Sequence, residues 1–386
     1  MSEPTVLSVR DLSTLIKTGR LFSLQAALAG GDVETLTERE WENLAVHAVG
    51  TGFYSIVEVL LSSRPWNPAS LARALDRSVS DRRYDITELL LGSNASVSRV
   101  YTGDLFRTMD LNLITRFLRL GVDPAEQNAF ASVLNATRAK SLLGIYRSLR
   151  EEFPVLDAQV SLALSEAVRE KNLRWISLLR WAGADPFRPV PYDLDEKWRD
   201  NDLMTSAAER ACWGDREEAF KLLKIQPTSE QALELLRHAA YDANIEVVRY
   251  LLRFVPKERV NETKRSSSAA LEELVRQDHK DYGYERRTQK ERQERTLECV
   301  RAMLDHGACW NPDDSDLRYA RRGLGSHDGK YVVRIIRLLL YTEGACDPVR
   351  VWEFCRTGTM QSRIKIADGK LWDELQAVRS AATLMT

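Results

Sequence analysis

Apolar residues recur along most of the chain in short blocks, each with two apolar positions, a gap of two, and two or three more apolar positions. One block runs from Ile56 to Leu61, another from Ile86 to Leu91, and a later one covers residues 247–252. This spacing places the apolar side chains on one stripe of an α-helix. No run of alternating strand residues appears between the blocks. The pattern therefore predicts an all-α fold. The predicted core residues are Ile56, Leu60, Leu89, Leu90, Leu118, Leu178, Leu179, Leu251, Leu252 and Leu304.

A turn signal follows several of the blocks. Gly121, Gly183 and Gly307 each end a block, and Asn94 holds the equivalent place in an earlier copy. Glycine and asparagine tolerate the left-handed conformation that ends a helix, so we predict positive φ at these four positions. The turns recur about every 31 residues, a period typical of helix-pair solenoids, which predicts about nine to eleven pairs.

The apolar blocks and the turns that follow them resemble the ankyrin repeat, in which a short helix, a second helix and a Gly-Ala-Asp-Pro turn recur. The small residues Ala239 and Ala240 precede one block at the offsets of that family, and the resemblance covers roughly residues 20–350. The family's Thr-Pro-Leu-His opening is absent, and Arg64 and Val255 stand where glycine is expected. The resemblance implies a helix-pair solenoid of degenerate ankyrin-like repeats with loop insertions. A HEAT-like or unclassified array of helix pairs is the alternative.

Two insertions interrupt the period and suggest a division of the chain. The predicted parts are an ankyrin-like stack at 1–185, a loop insertion at 186–202, continuing repeats at 203–255, a charged insertion at 256–295 with a helix around 269–276, and C-terminal repeats with a cap at 296–386. Insertions in a solenoid project from one face, where they often carry binding contacts.

Charge and composition narrow the classes of partner. The chain has 55 Lys and Arg against 56 Asp and Glu, so no global field draws it to nucleic acid or an acidic membrane. The apolar runs are shorter than the roughly 20 residues of a membrane span, and residues 1–10 lack a signal pattern. None of the five cysteines forms a C-x-x-C pair. We therefore expect a cytoplasmic protein with reduced thiols and no metal.

Two segments have a superficial likeness to catalytic motifs. The loop ending in Gly329 and Lys330 resembles a phosphate-binding loop, but Leu324 and Tyr331 occupy positions where such a loop needs Gly and Ser or Thr. Asp185 with the acidic insertion loosely resembles a metal-dependent nuclease, whose strands are absent from the pattern. We predict no catalytic residue and no cofactor, and an enzyme with its site in the insertions is the least favoured alternative.

Aromatic residues near the turns and one basic stretch are the candidate partner-binding residues. The aromatic candidates are Trp66, Phe187 and Trp310, which follow turns, and the basic candidates from residues 318–337 are Arg318, Arg321, Arg322 and Arg334. Tryptophan and arginine are enriched at interaction hot spots, although packing between loops is the alternative role for the aromatic rings. The expected function is a non-enzymatic scaffold for a partner protein. The alternative is a nucleic-acid-associated factor that uses the basic stretch.

Overall fold

The structure is a computed structural model of the whole 386-residue chain. It describes residues 7–30, 33, 35–192, 204–262, 270–276, 288–310, 320, 321, 324 and 327–385, and in that part every side chain except those of 273, 276 and 381–385. The described chain contains 22 α-helices, two short 3₁₀ helices and one pair of two-residue strands. The prediction of an all-α fold is confirmed.

Helices α1 to α10 belong to a first compact unit, which comprises residues 1–163, 181–184 and 193–201. They are α1 (Val9–Lys17), α2 (Leu21–Gly30), α3 (Glu38–Thr51), α4 (Tyr54–Ser62), α5 (Pro68–Ser80), α6 (Tyr84–Gly92), α7 (Thr102–Arg107), α8 (Leu111–Arg119), α9 (Ala129–Thr137) and α10 (Lys140–Leu149). Helices α11 (Val155–Arg169) and α12 (Leu173–Ala182) contribute residues to both units.

The remaining helices belong to a second unit, which comprises residues 164–180, 185–192 and 202–386. They are α13 (Ala207–Cys212), α14 (Glu217–Leu223), α15 (Ser229–Tyr241), α16 (Ile245–Leu251), α17 (Ala270–Arg276), α18 (Gln289–Asp305), α19 (Gly329–Tyr341), α20 (Pro348–Cys355), α21 (Gly358–Ala367) and α22 (Gly369–Met385). The strand β1 (Val190–Pro191) lies in the predicted loop insertion and pairs antiparallel with β2 (Met204–Thr205), which follows that insertion.

Within each unit the helices contact one another in a regular order. In the first unit α1, α3, α5, α7 and α9 form one row of successive contacts, and α2, α4 and α6 form another. In the second unit α13, α15 and α17 follow one another in the same way, as do α14, α16 and α18. Consecutive helices also contact each other, for example α3 with α4 and α15 with α16. Each unit therefore builds its interior from adjacent helix pairs.

Side-chain caps begin several of the helices. Thr37 accepts a hydrogen bond from the backbone N–H of Glu40, and the Glu40 carboxylate accepts one in return from the backbone N–H of Thr37. Ser8, Ser206, Thr228 and Thr288 form the same reciprocal box at α1, α13, α15 and α18. Such a box satisfies two of the backbone N–H groups that a helix start leaves without partners. The local sequence therefore determines where these helices start.

The turns between pairs have the predicted backbone conformation. Gly121, Gly183 and Gly307 have φ values of 101°, 104° and 97°, and Asn94 has a φ of 60°. These observations confirm the prediction of left-handed helix ends at all four positions. Arg64 and Val255, which replace the expected glycine, are outside the set of positive-φ residues, so their turns close differently.

The predicted core is largely correct, with two exceptions. The buried members are Ile56, Leu60, Leu90, Leu118, Leu179, Leu251, Leu252 and Leu304. Leu89 and Leu178 are only half-buried, so their assignment to the core is wrong. Each precedes a fully buried leucine and lies towards the edge of the apolar stripe of its helix, because successive helix positions point in different directions.

The second predicted insertion contributes to the interior of its unit. The helix expected around residues 269–276 is present as α17, which contacts α15 and α18. Its Leu271 and Leu274 are buried. Much of the charged run between α17 and α18 lies outside the described residues. The described part of this segment therefore includes a packed helix as well as surface chain.

Candidate partner-binding surfaces

Trp66 lies in a cluster of two indole rings and one guanidinium group in the first unit. The ring of Trp66 meets the ring of Trp41 edge to face, with centroids 6.0 Å apart. The guanidinium carbon of Arg64 lies 5.3 Å from each ring centroid. Both tryptophans are half-buried. We call Trp41, Arg64 and Trp66 the aromatic cluster. Helix α3 supplies Trp41, and the segment between α4 and α5 supplies the other two residues.

Hydrogen bonds hold the aromatic cluster in one arrangement. Arg64 donates from Nη2 to Oε2 of Glu38 at 2.6 Å, and Ser70 Oγ donates to Oε1 of the same carboxylate at 2.8 Å. Both hydrogen bonds lower the pKa of Glu38, and the bond from Ser70 has the larger effect. The indole Nε1 of Trp66 donates to the carbonyl of Leu60 at 3.3 Å, near the end of α4. The side chains are therefore already ordered in the free protein.

Charged and polar side chains lie beside the aromatic cluster. Arg73 on α5 approaches a carboxylate oxygen of Glu42 on α3 at 3.7 Å and donates to the Oδ1 atom of Asn43 at 3.2 Å. Arg99 approaches the same oxygen of Glu42 at 3.9 Å. Half-buried aromatic rings bordered by such polar groups are the arrangement typical of protein interfaces.

Phe187 and Trp310 have different environments from Trp66. Phe187 is half-buried in a turn where its backbone N–H donates to Oδ1 of Asp185 at 2.9 Å. Trp310 is only 1% exposed, and its ring meets that of Phe354 edge to face at 5.3 Å. The prediction of Trp310 as a partner-binding residue is wrong, because its ring packs inside the second unit and no partner can reach it.

In the described part of the basic stretch, residues 318–337, the arginines already bind oxygen atoms of the same protein. Arg321 donates from Nη2 to the carbonyl of Glu353 at 2.7 Å and from Nε to that of Phe354 at 3.2 Å, at the end of α20. Arg334 makes a two-pronged contact with Glu294, with one of its bonds at 2.8 Å. Arg337 pairs with Asp368. These arginines bind the protein's own oxygens, so they do not form an open basic patch.

The remaining candidates of that stretch, Arg318 and Arg322, lie outside the described residues. The aromatic residue Tyr331, which is interleaved with the arginines, is buried, and burial raises its pKa. It therefore offers no exposed ring on which a nucleic-acid base could stack.

The segment that resembles a phosphate-binding loop has a packing role. Gly329 is the first residue of α19, and Asp328 caps that helix by accepting from the N–H of Lys330. A Cβ atom added at Gly329 would lie 2.9 Å from the carbonyl oxygen of Arg363 on α21. Glycine is needed here because the two helices approach so closely.

The likeness to a nuclease has no further structural support. Residues 193–202 of the acidic insertion lie outside the described residues. In the described part of the chain, no group of three or more His, Cys, Asp or Glu side chains is placed to hold a metal ion. The five cysteines are all free, and burial is the main factor that raises the pKa of Cys346 to about 12.

A buried ion pair in the second unit was not apparent from the sequence. Arg210 on α13 donates from Nη1 to Oε1 of Glu166 on α11 at 3.1 Å, and both side chains are at most 2% exposed. Arg169 binds the other carboxylate oxygen at 2.6 Å. Burial lowers the pKa of Arg210, and the charge of Glu166 opposes this shift. The Nε and Nη2 atoms of Arg210 have no acceptor among the described residues.

The chain was compared with known protein families and with curated proteins. No protein-family model matches the chain, and no curated protein is detectably similar to it. The likeness to ankyrin repeats therefore rests on the residues and turns of this chain. No helix in the described part of the chain has both the length and the apolar character of a membrane span.

Proposed function

We propose that this chain is a non-enzymatic binding scaffold built from ankyrin-like helix pairs, and that it recognises a partner protein. The regular order of helix contacts within each unit supports a repeat architecture, as do the left-handed residues at the turns. Stacked helix pairs present a continuous surface to a partner.

The observation that carries this proposal is the aromatic cluster. Two half-buried tryptophan rings and one arginine, held by Glu38, Ser70 and a backbone carbonyl, combine the residue types that dominate binding energy. Because these side chains are already ordered, a partner would not have to supply the free energy for ordering them. The cluster is therefore the proposed anchor point for the partner.

The engaged arginines favour a protein partner over nucleic acid. Arg321 and Arg334 already bind a helix end and a carboxylate, and a phosphate would have to displace those bonds. Binding to nucleic acid should weaken steeply with salt, whereas binding centred on aromatic rings should not. The salt dependence of affinity for the partner separates the two proposals.

The test begins with affinity purification of the partner from the native source, followed by Trp66→Ala and Arg64→Ala. We expect each substitution to lose about 2 kcal/mol of binding, some thirtyfold in affinity, with little change in thermal stability. The matched control is Trp181→Ala, because Trp181 is 64% exposed and lies outside the cluster. Equal affinity of all three variants and the unmodified chain would contradict the proposed anchor.

A further inference from the structure

Short turns join the two helices of each pair in the first unit. Four successive turns each contain one residue with a left-handed backbone, and these residues are Gly19, Gly52, Arg82 and Met109. A Cβ atom added at Gly19 would lie 3.3 Å from the ring of Phe53 in the next turn. One added at Gly52 would lie 2.5 Å from the guanidinium group of Arg83. Arg82 donates from Nη2 to the carbonyl of the last residue of α7 at 3.4 Å. The turns therefore form one row, the turn ridge, which comprises residues 17–22, 52–54, 82–85 and 109–111.

Large apolar side chains are exposed along the turn ridge. They are Phe22, Phe53, Tyr54, Tyr84, Met109 and Leu111. Phe22 is 83% exposed, and the other five are between 37% and 47% exposed. Each of the six lies within three residues of a left-handed residue, so all of them stand at the turns. A single exposed apolar residue is common, whereas a row of them is typical of an interaction site.

The turn ridge also has exposed positive charge. Its four cations are Lys17, Arg20, Arg82 and Arg83. All four are exposed, and none of them forms an ion pair with a residue that the structure describes. Cations without internal partners are available to an anionic surface.

Fewer carboxylates than cations lie at the turn ridge. Asp81 and Asp104, which border it, form ion pairs with arginines of α5 and α7 at 2.6 Å and 2.7 Å. Asp110 accepts hydrogen bonds from two backbone N–H groups at the start of α8. Asp85 is exposed. Two carboxylates, those of Asp85 and Asp110, therefore stand against four cations within the ridge.

The corresponding turns of the second unit have a different character. Gly214 and Ala243 are their left-handed residues, with φ values of 56° and 48°. Ala243 is buried, and Tyr241 is the exposed aromatic residue beside it. Asp242 accepts a hydrogen bond from the backbone N–H of Gly214 at 2.9 Å, and Asp215 follows that glycine. Rows of exposed apolar residues and cations are therefore not a general consequence of joining two helices.

We propose that the turn ridge binds the surface of an anionic lipid membrane. This contact is additional to the protein partner proposed above. The exposed rings, with Met109 and Leu111, enter the boundary between headgroups and acyl chains, which accepts aromatic and aliphatic side chains alike. The four cations face the anionic headgroups, and each cation near such a surface strengthens binding. The near-neutral charge of the whole chain does not oppose the contact, because salt screens charges more than about 10 Å away.

Other occupants fit the turn ridge less well. A second copy would bring the same cations face to face across a two-fold axis, where they repel each other. Single-stranded nucleic acid binds in a positively charged groove and stacks its bases on aromatic rings. Met109 and Leu111 offer no ring for a base, and the ridge consists of turns at helix ends. A lipid surface uses every side chain of the set.

The turn ridge and the aromatic cluster lie at opposite ends of α3. Trp41 of the aromatic cluster is near the start of this helix, and Gly52 of the turn ridge directly follows its end. The 14 residues of α3 span about 20 Å. A membrane at one end leaves the other end open to a protein partner, so either proposal can fail without the other.

The experiment measures co-sedimentation of the full chain with sucrose-loaded vesicles at physiological ionic strength. Vesicles of phosphatidylcholine alone are compared with vesicles that contain about 30% phosphatidylserine. We expect the partition coefficient to be at least about tenfold higher with phosphatidylserine, because a cation near such a surface contributes about a factor of five. Thermal unfolding of every variant should show an intact fold.

The apolar part of the contact has a matched control in the second unit. Phe22→Ser should lower the partition coefficient at least about fivefold, because the ring no longer leaves water. Ile366→Ser should leave it unchanged, although Ile366 is 87% exposed and therefore similar to Phe22. Met109→Gly should also lower it, while the melting temperature stays equal or rises, because glycine adopts the φ of 57° without strain.

The charged part has its own control. Lys17→Gln with Arg20→Gln should lower the partition coefficient about tenfold or more. Lys221→Gln with Lys224→Gln removes two exposed cations of the second unit and should leave it unchanged.

Four results would overturn the proposal. Two are equal partition into both kinds of vesicle, including none into either, and equal partition of Phe22→Ser and Ile366→Ser. The third is release of the bound chain by a single-stranded oligonucleotide at a phosphate concentration equal to that of phosphatidylserine. The last is a lipid-free dimer that Phe22→Ser abolishes, which would assign the ridge to a second copy of the chain.

Discussion

Trp66 in the first unit and Trp310 in the second both follow a turn that closes a helix pair, yet their surroundings differ. Trp66 is half-buried, with Trp41 and Arg64 against its ring. Trp310 is 1% exposed, and its backbone N–H donates to the carbonyl of Ala345 at 2.6 Å, in the following turn. The difference shows that a turn position alone does not expose an aromatic ring. What packs over the turn decides whether the ring stabilises the fold or can reach a partner.

The largest difference in stability between the two regions should come from replacing their tryptophans. Trp310→Ala removes a buried ring and should destabilise the protein by about 3–5 kcal/mol, because a cavity remains beside Phe354. Trp66→Ala removes a half-exposed ring and should cost less than about 1.5 kcal/mol. Urea denaturation of both variants measures the difference. Similar losses at the two positions would mean that Trp66 is a packing residue too.

Loss of the buried ion pair in the second unit should also destabilise the protein more than loss of the exposed ion pair in the first unit. Glu166→Gln leaves Arg210 buried without its charged partner and should destabilise by about 3–5 kcal/mol. Glu38→Gln disrupts a pair whose side chains are 26% and 49% exposed, and should cost at most about 1 kcal/mol. Denaturation midpoints of the two variants provide the comparison. A loss below about 1 kcal/mol for Glu166→Gln would show that the buried pair adds little to stability.

Two leucines give the same comparison for apolar packing. Leu251 is fully buried on α16, so Leu251→Ala should lose about 2–5 kcal/mol of stability. Leu178 on α12 is half-buried, and its replacement by Ala should lose about 1–2 kcal/mol because part of its surface stays in water. The free energy of unfolding in urea is the readout. A loss under about 0.5 kcal/mol at Leu251 is typical of surface positions and would remove it from the core.

The smallest expected effect is a pH dependence of the stabilisation that Glu38 provides at the aromatic cluster. The hydrogen bonds from Ser70 and Arg64 lower the pKa of Glu38 in the folded protein. The stabilisation that the Glu38 carboxylate provides is therefore fully present above about pH 4.3, the pKa of glutamate in the unfolded chain. It is lost as the pH falls through the lower pKa that Glu38 has in the folded protein. The difference in melting temperature between the unmodified chain and Glu38→Gln should shrink towards zero between neutral and strongly acidic pH. A difference that does not change with pH would show that the carboxylate charge does not hold Arg64.

Local chemistry made much of the secondary structure predictable. The apolar stripes indicated helices, and the glycines at 121, 183 and 307 with Asn94 marked helix ends at positive φ. These features depend on residues within one or two helical turns, so a single sequence carries them. The helix within the charged insertion was predictable for the same reason, and it is present as α17.

The candidate site was predictable only in part. Trp66 was identified from its place after a turn, but Trp41 and Glu38 join it only because α3 packs against α5. Neither residue carries a turn signal of its own. The presence of Arg64 at a position where glycine was expected was the one sequence departure that marked this turn as unusual.

By itself, the sequence determined the helical character of the chain, the places where many helices begin and end, and the absence of a large net charge. Those properties follow from backbone sterics, capping hydrogen bonds and the count of ionisable groups. Only the tertiary structure decided that Trp310 is buried, that Arg321 and Arg334 bind oxygens of the same protein, and that Glu166 meets Arg210. The physical reason is that exposure and ion pairing depend on residues distant along the chain, which packing alone brings together.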